Sequence, residues 1–287
     1  MVLISRLVGK SIKGCPVNSR SSDEVPSWSE NTSKKIVEIP MPVVDLPLGI
    51  GSDRVTGALD IEKALVDGVK SFQPGLLAKA NRGYLYIDEV NLLEDHLVDL
   101  LLDVAQSGEN VVEREGLSIR HASKFILIGS GNPEEGELRP QLLDRFGLSV
   151  EVMTPDTVHE RIEIIQRRDQ YDNNPEGYVL DWQKENKKLR NKIQKARKNL
   201  NSVSVDNKIL ENCAEICIDL GSDGLRGELT LVRTARALAA LSNSSSVDEA
   251  QLRKIAPMAL SHRLRRDPLD DAGSGTRVAR SVEKIIG

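Results

Sequence analysis

The stretch Tyr84–Leu93, YLYIDEVNLL, decides the fold class of this chain of 287 residues. Its first four residues, YLYI, form the short apolar run that is typical of a strand buried in a parallel sheet. Asp88 and Glu89 follow at once, and open α/β sheets bind ligands outside the carboxyl ends of their strands. Nucleoside triphosphate hydrolysis needs an acid that holds Mg²⁺ and a second group that orients the attacking water. Asp88 suits the first role and Glu89 the second, although a strand that ends in a solvated acidic turn would look the same.

The residues around this stretch predict a sheet with an inserted hairpin. Short helices are expected over 60–70 and 74–80, and a longer one over 94–107, where Gly108 follows as a C-cap. Alternating residues around Gly116 predict a β-hairpin over 111–121. Further apolar runs predict strands at FILIG, 125–129, and LSVEV, 148–152.

The second half of the chain reads as helical. A polar stretch over 181–200 keeps one apolar stripe and predicts an exposed connecting helix, and helices follow over 206–220, 226–242 and 247–262. Ser246 and Glu249 have the spacing of a capping box before the last of these. The pattern predicts an α/β core over 1–155, a linker over 156–200 and an all-α domain over 201–287.

Three more residues fit phosphate chemistry. Asn132 follows the strand FILIG, and its uncharged amide suits the positioning of a water molecule beside a γ-phosphate. Arg145, in LRPQLLDRFG, suits an arginine finger that acts in a neighbouring subunit's site. Arg226 opens a distal helix and is interpreted as pointing back at the phosphates. The ordinary alternatives are a Gly-Asn-Pro turn, a local Asp144–Arg145 pair and a solvated helix face.

Taken together, these signals are more specific than any one of them. An acid pair after a strand, Asn after the next strand, Arg after a helix and Arg at the start of a lid helix follow the order of AAA+ ATPases. In that family's terms they are Walker B, sensor 1, arginine finger and sensor 2.

The resemblance extends beyond the superfamily. The segments PVVDLPLG (42–49), FQPGLLAKANRGYLYIDEVNLLEDHLVDLLLD (72–103) and GSGNPEEGELRPQLLDRFGL (129–148) resemble the ATPase subunit of magnesium chelatase. The distal helices resemble the form found in bacteriochlorophyll-making bacteria. The resemblance covers about residues 14–287. It implies an AAA+ parallel-sheet core with a β-hairpin insertion and a helical lid.

The same resemblance implies a function and its partners. The chain is expected to be an ATP-hydrolysing motor that drives Mg²⁺ insertion into protoporphyrin IX in (bacterio)chlorophyll biosynthesis, an enzyme that forms nitrogen–metal bonds. ATP and Mg²⁺ are the implied cofactors, with Asp88, Asn132 and Arg226 at the nucleotide and Asp88 at its Mg²⁺. The implied partners are further copies of the chain in a hexameric ring, an integrin-domain subunit and a porphyrin-binding large subunit.

One family motif is absent from the sequence. The phosphate loop, G-x-x-x-x-G-K-[ST], supplies the backbone amides and the lysine that hold the triphosphate. Gly9-Lys10-Ser11 is a fragment of it, but Ile4 stands where the first glycine belongs, so we interpret the match as coincidence. The motif is expected upstream, and this chain alone is expected to bind ATP weakly or not at all.

Composition excludes several other classes of protein. The net charge is −4 and aromatic residues make up 3%, which argues against a nucleic-acid partner. No apolar run reaches the length of a membrane span. The cysteines Cys15, Cys213 and Cys217 are sparse and odd in number, which favours a reducing cytoplasm, and the last two are expected to be buried thiols.

Two rival functions stay open on the sequence. One is a MoxR-like AAA+ chaperone, which shares the fold and has a different output. The other is an interaction module that does not bind nucleotide. The insertion at 42–60 and the stretch NPEEGELRPQLLDRFG favour the chelatase.

Overall fold

The computed structural model describes residues 8–29, 32–33, 35–114, 116–136, 138–222, 224–264 and 273–287. Contacts divide the chain into two compact units, Met1–Leu142 and Leu143–Gly287, called here the first and second unit. The predicted boundaries at 155 and 200 divide the chain differently and stay a prediction.

The first unit contains the strands. In chain order they are β1 (Val8–Ile12), β2 (Ile36–Pro40), β3 (Val43–Leu46), β4 (Gly57–Leu59), β5 (Phe72–Pro74), β6 (Tyr84–Ile87), β7 (Glu109–Arg114), β8 (Leu117–Ala122) and β9 (Ile126–Gly129). Strands β3, β6 and β9 form a parallel sheet in which β6 is central. The other strands make antiparallel pairs, β1 with β2, β4 with β5 and β7 with β8.

The helices follow the predicted division between the two halves. They are α1 (Ser52–Thr56), α2 (Ile61–Val66), α3 (Leu76–Ala80), α4 (Asp95–Ser107), α5 (Pro140–Leu143), α6 (Val158–Asn173), α7 (Pro175–Asp181), α8 (Gln183–Asn199), α9 (Asn207–Asp219), α10 (Arg226–Leu241), α11 (Glu249–Leu260) and α12 (Gly273–Ile286). The structure confirms the strand YLYI, the strand after it and the helix over 94–107. That helix ends at Gly108, whose φ of 74° is the left-handed conformation that glycine adopts without a steric penalty.

The central strand is apolar because one of its faces is buried in the core of the first unit. Leu85 and Ile87 are completely buried, and Leu97 and Leu101 of α4 belong to the same unit's buried set. Burying a leucine-sized side chain contributes about 2 kcal/mol. These contacts fix the position at which β6 ends and the acid pair begins.

The predicted hairpin is present and is anchored to α1. Arg114, at the end of β7, donates to the carboxylate of Asp53, the hydroxyl of Thr56 and the carbonyl of Gly57. The side-chain amide of Asn110 donates to the Thr56 carbonyl at 2.7 Å. Polar contacts to the segment 52–57 therefore hold β7 both near the base of the hairpin, through Asn110, and beside its turn, through Arg114.

The second unit has a helical core that includes two of the cysteines. Cys213 and Cys217 are 1% exposed and pack with Ile209, Ile216 and the facing helices, which confirms the prediction of buried thiols. Burial raises the pKa of Cys213 to about 11 and that of Cys217 to about 12, and the nearby Glu228 carboxylate raises both further. The thiols are therefore protonated packing groups.

Two local predictions are wrong. The segment LSVEV, 148–152, forms no strand: Ser149 donates its backbone N–H to the Met258 carbonyl at 2.8 Å, and Val150 and Val152 are exposed. Alternation of apolar and polar residues predicts a strand only where another strand pairs with it, and none of the described strands does. The capping box lies two residues further on, because Asp248 accepts from the Gln251 N–H and Gln251 accepts from the Asp248 N–H.

Among the described residues no helix has the combined length and hydropathy needed to cross a membrane.

Candidate functional site

The acid pair lies at the carboxyl end of the central strand. Ile87, the last residue of β6, is opposite Leu46 on one side and Gly129 on the other, so Asp88 and Ser130 leave the sheet at the same edge. The backbone keeps them together, because Ser130 donates its N–H to the Ile87 carbonyl at 3.0 Å. Parallel neighbours thus bring a carboxylate and a hydroxyl to one edge although they are 42 residues apart in sequence.

Two hydroxyl groups hold the carboxylate of Asp88. Ser130 donates to Oδ1 of Asp88 at 2.5 Å, and Tyr86 donates to the same oxygen at 2.9 Å. These hydrogen bonds, that of Ser130 first, hold the pKa of Asp88 below its usual range. Hydrogen bonds to the charged form favour ionisation without cancelling the charge. Asp88 is exposed, so an anionic oxygen faces outward at the end of the sheet.

Glu89 has an unusual backbone conformation that directs it towards Asn132. Its φ of 51° and ψ of 58° place a residue other than glycine in the left-handed region. Such strained conformations persist only where neighbouring contacts hold them, and they are frequent at functional sites. Here the Glu89 N–H donates to the Ser130 hydroxyl at 3.3 Å, and Oε2 of Glu89 accepts from the Asn132 N–H at 3.0 Å.

The small residues of the GSG segment allow this close approach. A Cβ on Gly129 would lie 2.9 Å from Cγ1 of Val90, and one on Gly131 would lie 2.7 Å from Oδ1 of Asn91. That oxygen of Asn91 is buried and accepts no hydrogen bond within the described part of the chain. An acceptor is therefore left next to Asn132, where an ordered water or a ligand donor fits.

The residues at the end of β6 fit Mg²⁺ only in a site whose other ligands are waters and phosphate oxygens. The described side chains form no group of three or more His, Cys, Asp or Glu residues that would hold a metal ion by themselves. Mg²⁺ is commonly bound through one or two carboxylates, several waters and substrate phosphate oxygens. Asp88 suits such a site, because its charge is stabilised and both of its side-chain hydrogen bonds fall on Oδ1.

The fragment Gly9-Lys10-Ser11 lies within strand β1. It pairs antiparallel with β2, with Gly9 opposite Ile39 and Ser11 opposite Val37. A phosphate loop needs a loop that opens a helix, so that several backbone N–H groups point at one anion. Its place in a paired strand is consistent with the interpretation of this fragment as a coincidence, which stays a prediction.

The two arginines of the predicted site both lie in the second unit. Arg145 belongs to a short segment, Asp144–Gly147, and Arg226 begins α10. Arg226 forms an ion pair with the carboxylate of Asp144. Asp144 is shared between Arg226 and Arg263, and lies 2.7 Å from the latter.

The structure thus joins the predicted residues into two groups. Asp88, Glu89 and Asn132 form one cluster in the first unit, and Arg145 and Arg226 lie beside Asp144 in the second. Sequence reasoning missed Tyr86, Ser130 and Arg263. Tyr86 and Ser130 carried a weak signal, since they lie two positions before Asp88 and directly after the strand FILIG, whereas Arg263 carried none.

Two family models match parts of the chain. Residues 60–141 match the model described as magnesium chelatase, subunit ChlI, and residues 210–285 match the model of an AAA lid domain. The first match contains the acid pair and Asn132, and the second contains Arg226 and Arg263.

Curated relatives match most of the chain. The magnesium-chelatase 38 kDa subunit of Rhodobacter capsulatus is 61% identical over 277 residues, which are 96% of this chain and 79% of that protein. The subunit of the same name from Cereibacter sphaeroides is 62% identical and is covered to 83%.

Solved structures match as well. A model of the complex between subunits BchI and BchD of magnesium chelatase, based on cryo-electron microscopy, contains a chain that is 56% identical. The match has a TM-score of 0.51 and covers all of this chain and 85% of that one. A putative ATPase from Cytophaga hutchinsonii has a TM-score of 0.61 over 86% of this chain at 17% identity, which supports the fold alone.

Proposed function

The chain belongs to the magnesium chelatase ATPase-subunit family, and we propose from the geometry of its site how it hydrolyses ATP for that enzyme. The observation that carries the proposal is the contact between Oε2 of Glu89 and the Asn132 N–H, beside an ionised Asp88 at the end of the central strand. The family membership also decides between the chelatase and the MoxR-like chaperone, in favour of the chelatase.

We assign the carboxylate of Asp88 to the Mg²⁺ of Mg·ATP, directly or through water. The ion, when bound, neutralises charge on the phosphate oxygens. The hydroxyls of Ser130 and Tyr86 keep the carboxylate ionised and in one orientation. Mg²⁺ bound to ATP is distinct from the Mg²⁺ that is inserted into the porphyrin, which is a substrate of the assembled enzyme.

Glu89 and Asn132 act on the attacking water. The Glu89 carboxylate would accept a proton from the water that attacks the γ-phosphorus, while the bond from that phosphorus to the bridging oxygen breaks and ADP leaves. The Asn132 N–H fixes the carboxylate through Oε2. The Asn132 side-chain oxygen accepts from the Glu134 N–H at 3.1 Å, which orients its amide. An uncharged amide positions water without adding charge beside the phosphate.

Arg145 and Arg226 supply positive charge to the transferred phosphoryl group. We place Arg226 at the nucleotide bound by the same chain and Arg145 at the site of a neighbouring copy, as an arginine finger. This assignment requires a ring, and we propose a hexamer. Oligomerisation and pairing with a D-type subunit are supported by the related BchI–BchD complex. We further propose that this partner carries an integrin domain and that a porphyrin-binding large subunit completes the enzyme.

Reconstitution tests the function. The chain, preceded by the G-x-x-x-x-G-K-[ST] segment of a relative, is mixed with a D subunit and a porphyrin-binding subunit from Rhodobacter capsulatus. This mixture is called here the assembled protein, and its ATP hydrolysis and the absorbance of magnesium protoporphyrin are followed. We expect both to depend on this chain, and to be lost with Arg145→Ala. Hydrolysis without porphyrin metallation would favour a different AAA+ output.

Nucleotide binding tests the remaining alternative, an interaction module. No residues described here make a phosphate loop, so we propose that the chain alone binds a fluorescent ATP analogue weakly in the presence of Mg²⁺. The comparison chain is the same sequence preceded by a G-x-x-x-x-G-K-[ST] segment from a relative. Tight binding by both chains would contradict this proposal, and binding by neither would favour the interaction module.

A further inference from the structure

The short 3-10 turn Ser261–Arg263, which follows α11, holds the segment Asp144–Gly147 through one buried arginine. The side chain of Arg263 is 2% exposed, against 47% for Arg226. A guanidinium group has five N–H donors in a rigid fork, and burying it requires that these donors be used.

The donors of Arg263 are distributed over the whole segment. Nη1 donates to Oδ1 of Asp144 at 2.7 Å and also to the Asp144 carbonyl. Nη2 donates to the Phe146 carbonyl at 2.7 Å and reaches the Gly147 carbonyl at 3.4 Å. Nε donates to the Ala259 carbonyl at 2.9 Å, which ties the guanidinium to the end of the preceding helix α11. Arg145 lies between two residues that Arg263 binds.

His262 supports the same segment without adding charge. Its Nε2 lies 3.0 Å from the Phe146 carbonyl, and because a carbonyl only accepts, Nε2 carries the proton. Burial lowers the pKa of His262, and the adjacent Arg263 lowers it further, so the ring is neutral near pH 7. Arg226 and Arg263 thus bring positive charge to Asp144, and His262 adds none.

We propose that Arg263 is a positioning residue that fixes the Asp144–Gly147 segment and thereby the backbone from which Arg145 extends. This inference rests on the proposed function, in which Arg145 acts at a neighbouring copy's site. An arginine finger is most effective when its backbone is already ordered before the neighbouring copy binds nucleotide. If the backbone had to become ordered during the reaction, hydrolysis would be slower. Arg263 contacts neither nucleotide nor water in this role and acts only through the segment.

Asp144 gives the arrangement a second consequence. Its carboxylate is shared between Arg263, which is buried, and Arg226, which is exposed at the start of α10. Fixing Asp144 therefore also fixes the resting place of Arg226. A single buried side chain thus sets the backbone of one candidate phosphate-binding arginine and the ion-pair partner of the other.

The test compares Arg263→Gln with Arg253→Gln in the full chain. Arg253 is the control, because it lies on the neighbouring helix α11 and also binds a carboxylate and a carbonyl, those of Glu283 and Gly287. Hydrogen exchange is measured at the Phe146 and Ser149 amides, which donate to Leu143 and Met258. We expect exchange there to rise about tenfold or more in Arg263→Gln alone, since local opening loses its main restraint.

Hydrolysis by the assembled protein provides the second readout. We expect Arg263→Gln to lower kcat about 100-fold while KM for ATP changes little, the result for a group displaced by about 1 Å from a transition-state contact. Arg263→Lys keeps the positive charge and loses the forked arrangement of guanidinium donors, so a kcat between those of the wild type and Arg263→Gln is expected. If Arg263→Gln does not fold, Arg263→Lys takes its place in the test. Unchanged exchange, or a kcat equal to that of Arg253→Gln, would overturn the proposal.

Arg145→Ala separates this proposal from the proposed function. If Arg145→Ala hydrolyses ATP at the full rate, the finger role is wrong and Arg263 has no catalytic finger to position. The exchange measurement still decides whether Arg263 holds the segment. Arg145→Ala is expected to lose hydrolysis without faster amide exchange. That result, together with the expected results for Arg263→Gln, would support both the finger role of Arg145 and the positioning role of Arg263.

Discussion

In the first unit Asp88 is held by two hydroxyl groups, whereas in the second unit Asp144 is held by two guanidinium groups. The hydroxyl groups stabilise the negative charge of Asp88 without neutralising it. The cluster around Asp88 is therefore suited to attract a cation. The guanidinium groups cancel the charge of Asp144, so that carboxylate serves as an anchor. Two aspartates that look alike in sequence therefore differ in function because of what donates to them.

The two clusters also differ in how they are built. The first is made by the ends of two neighbouring parallel strands, where the sheet register brings Asp88 and Ser130 together. The second joins a short segment after α5 to the ends of two helices, and it depends on long side chains that cross from one element to another. Backbone pairing positions the first cluster and side-chain hydrogen bonds position the second.

The largest effect is expected at Glu89. Glu89→Gln removes the proton acceptor and keeps an oxygen that accepts from the Asn132 N–H, so hydrolysis should fall by about 100-fold or more while nucleotide binding persists. Steady-state hydrolysis and analogue binding by the assembled protein measure the two quantities. Glu109→Gln, at an exposed acid of β7 that pairs with Arg120, is the control and should hydrolyse ATP normally. Equal rates in the two variants would place the catalytic base elsewhere.

A smaller effect is expected from Ser130→Ala, which tests whether donors keep Asp88 charged. Loss of the first donor should raise the pKa of Asp88 towards its usual value and weaken Mg·ATP binding by about three- to tenfold. Because the depressed pKa keeps wild-type Asp88 ionised to lower pH, the variant should lose Mg²⁺-dependent binding at a higher pH. Titration of binding against pH, with the exposed Ser118→Ala as control, measures this shift. Coincident curves would mean that the hydroxyl does not tune Asp88.

Acidification should weaken both units by a modest amount. Burial lowers the folded-state pKa of His121 in the first unit and of His262 in the second. The unfolded chain therefore binds more protons than the folded one once the pH falls below the usual histidine range, so stability is complete above about pH 7 and declines towards about pH 5. Thermal unfolding at both values measures the loss. His262→Gln should reduce the pH dependence, and the exposed His159→Gln should leave it unchanged.

The smallest effect is expected at the cysteines of the second unit. With pKa values raised to about 11 and about 12, Cys213 and Cys217 are thiols rather than thiolates in the folded chain. Iodoacetamide at about pH 8 should leave both unmodified until the unit unfolds, since the thiolate is the reacting form. Mass spectrometry of native and urea-unfolded samples measures this. Rapid native labelling would show that the helical core opens more readily than its burial implies.

Much of the first cluster was predictable from sequence. The apolar run before Asp88 and Glu89 fixed a strand and the point at which it ends, and the next strand placed Asn132 at the same edge by the rule for parallel sheets. Tyr86 and Ser130 were not identified, because a hydroxyl near a strand end has no pattern that separates it from a solvated one. The strand predicted over 148–152 failed because alternation describes one strand and says nothing about whether a partner is present.

By itself, the sequence determined the order of the residues proposed to act on phosphate, the parallel strand that carries the acid pair, the helical second half and the family. Those properties follow from local periodicity and from motif order, which are written along the chain. Only the tertiary structure decided that two hydroxyl groups hold the carboxylate of Asp88, that Glu89 binds the Asn132 backbone, and that Arg263 holds the segment of Arg145. These depend on distances between residues that are 42, 43 and 119 positions apart, as for Asp88 and Ser130, Glu89 and Asn132, and Asp144 and Arg263. Hydrogen bonds and charges act over a few ångströms of space, whatever the separation along the sequence.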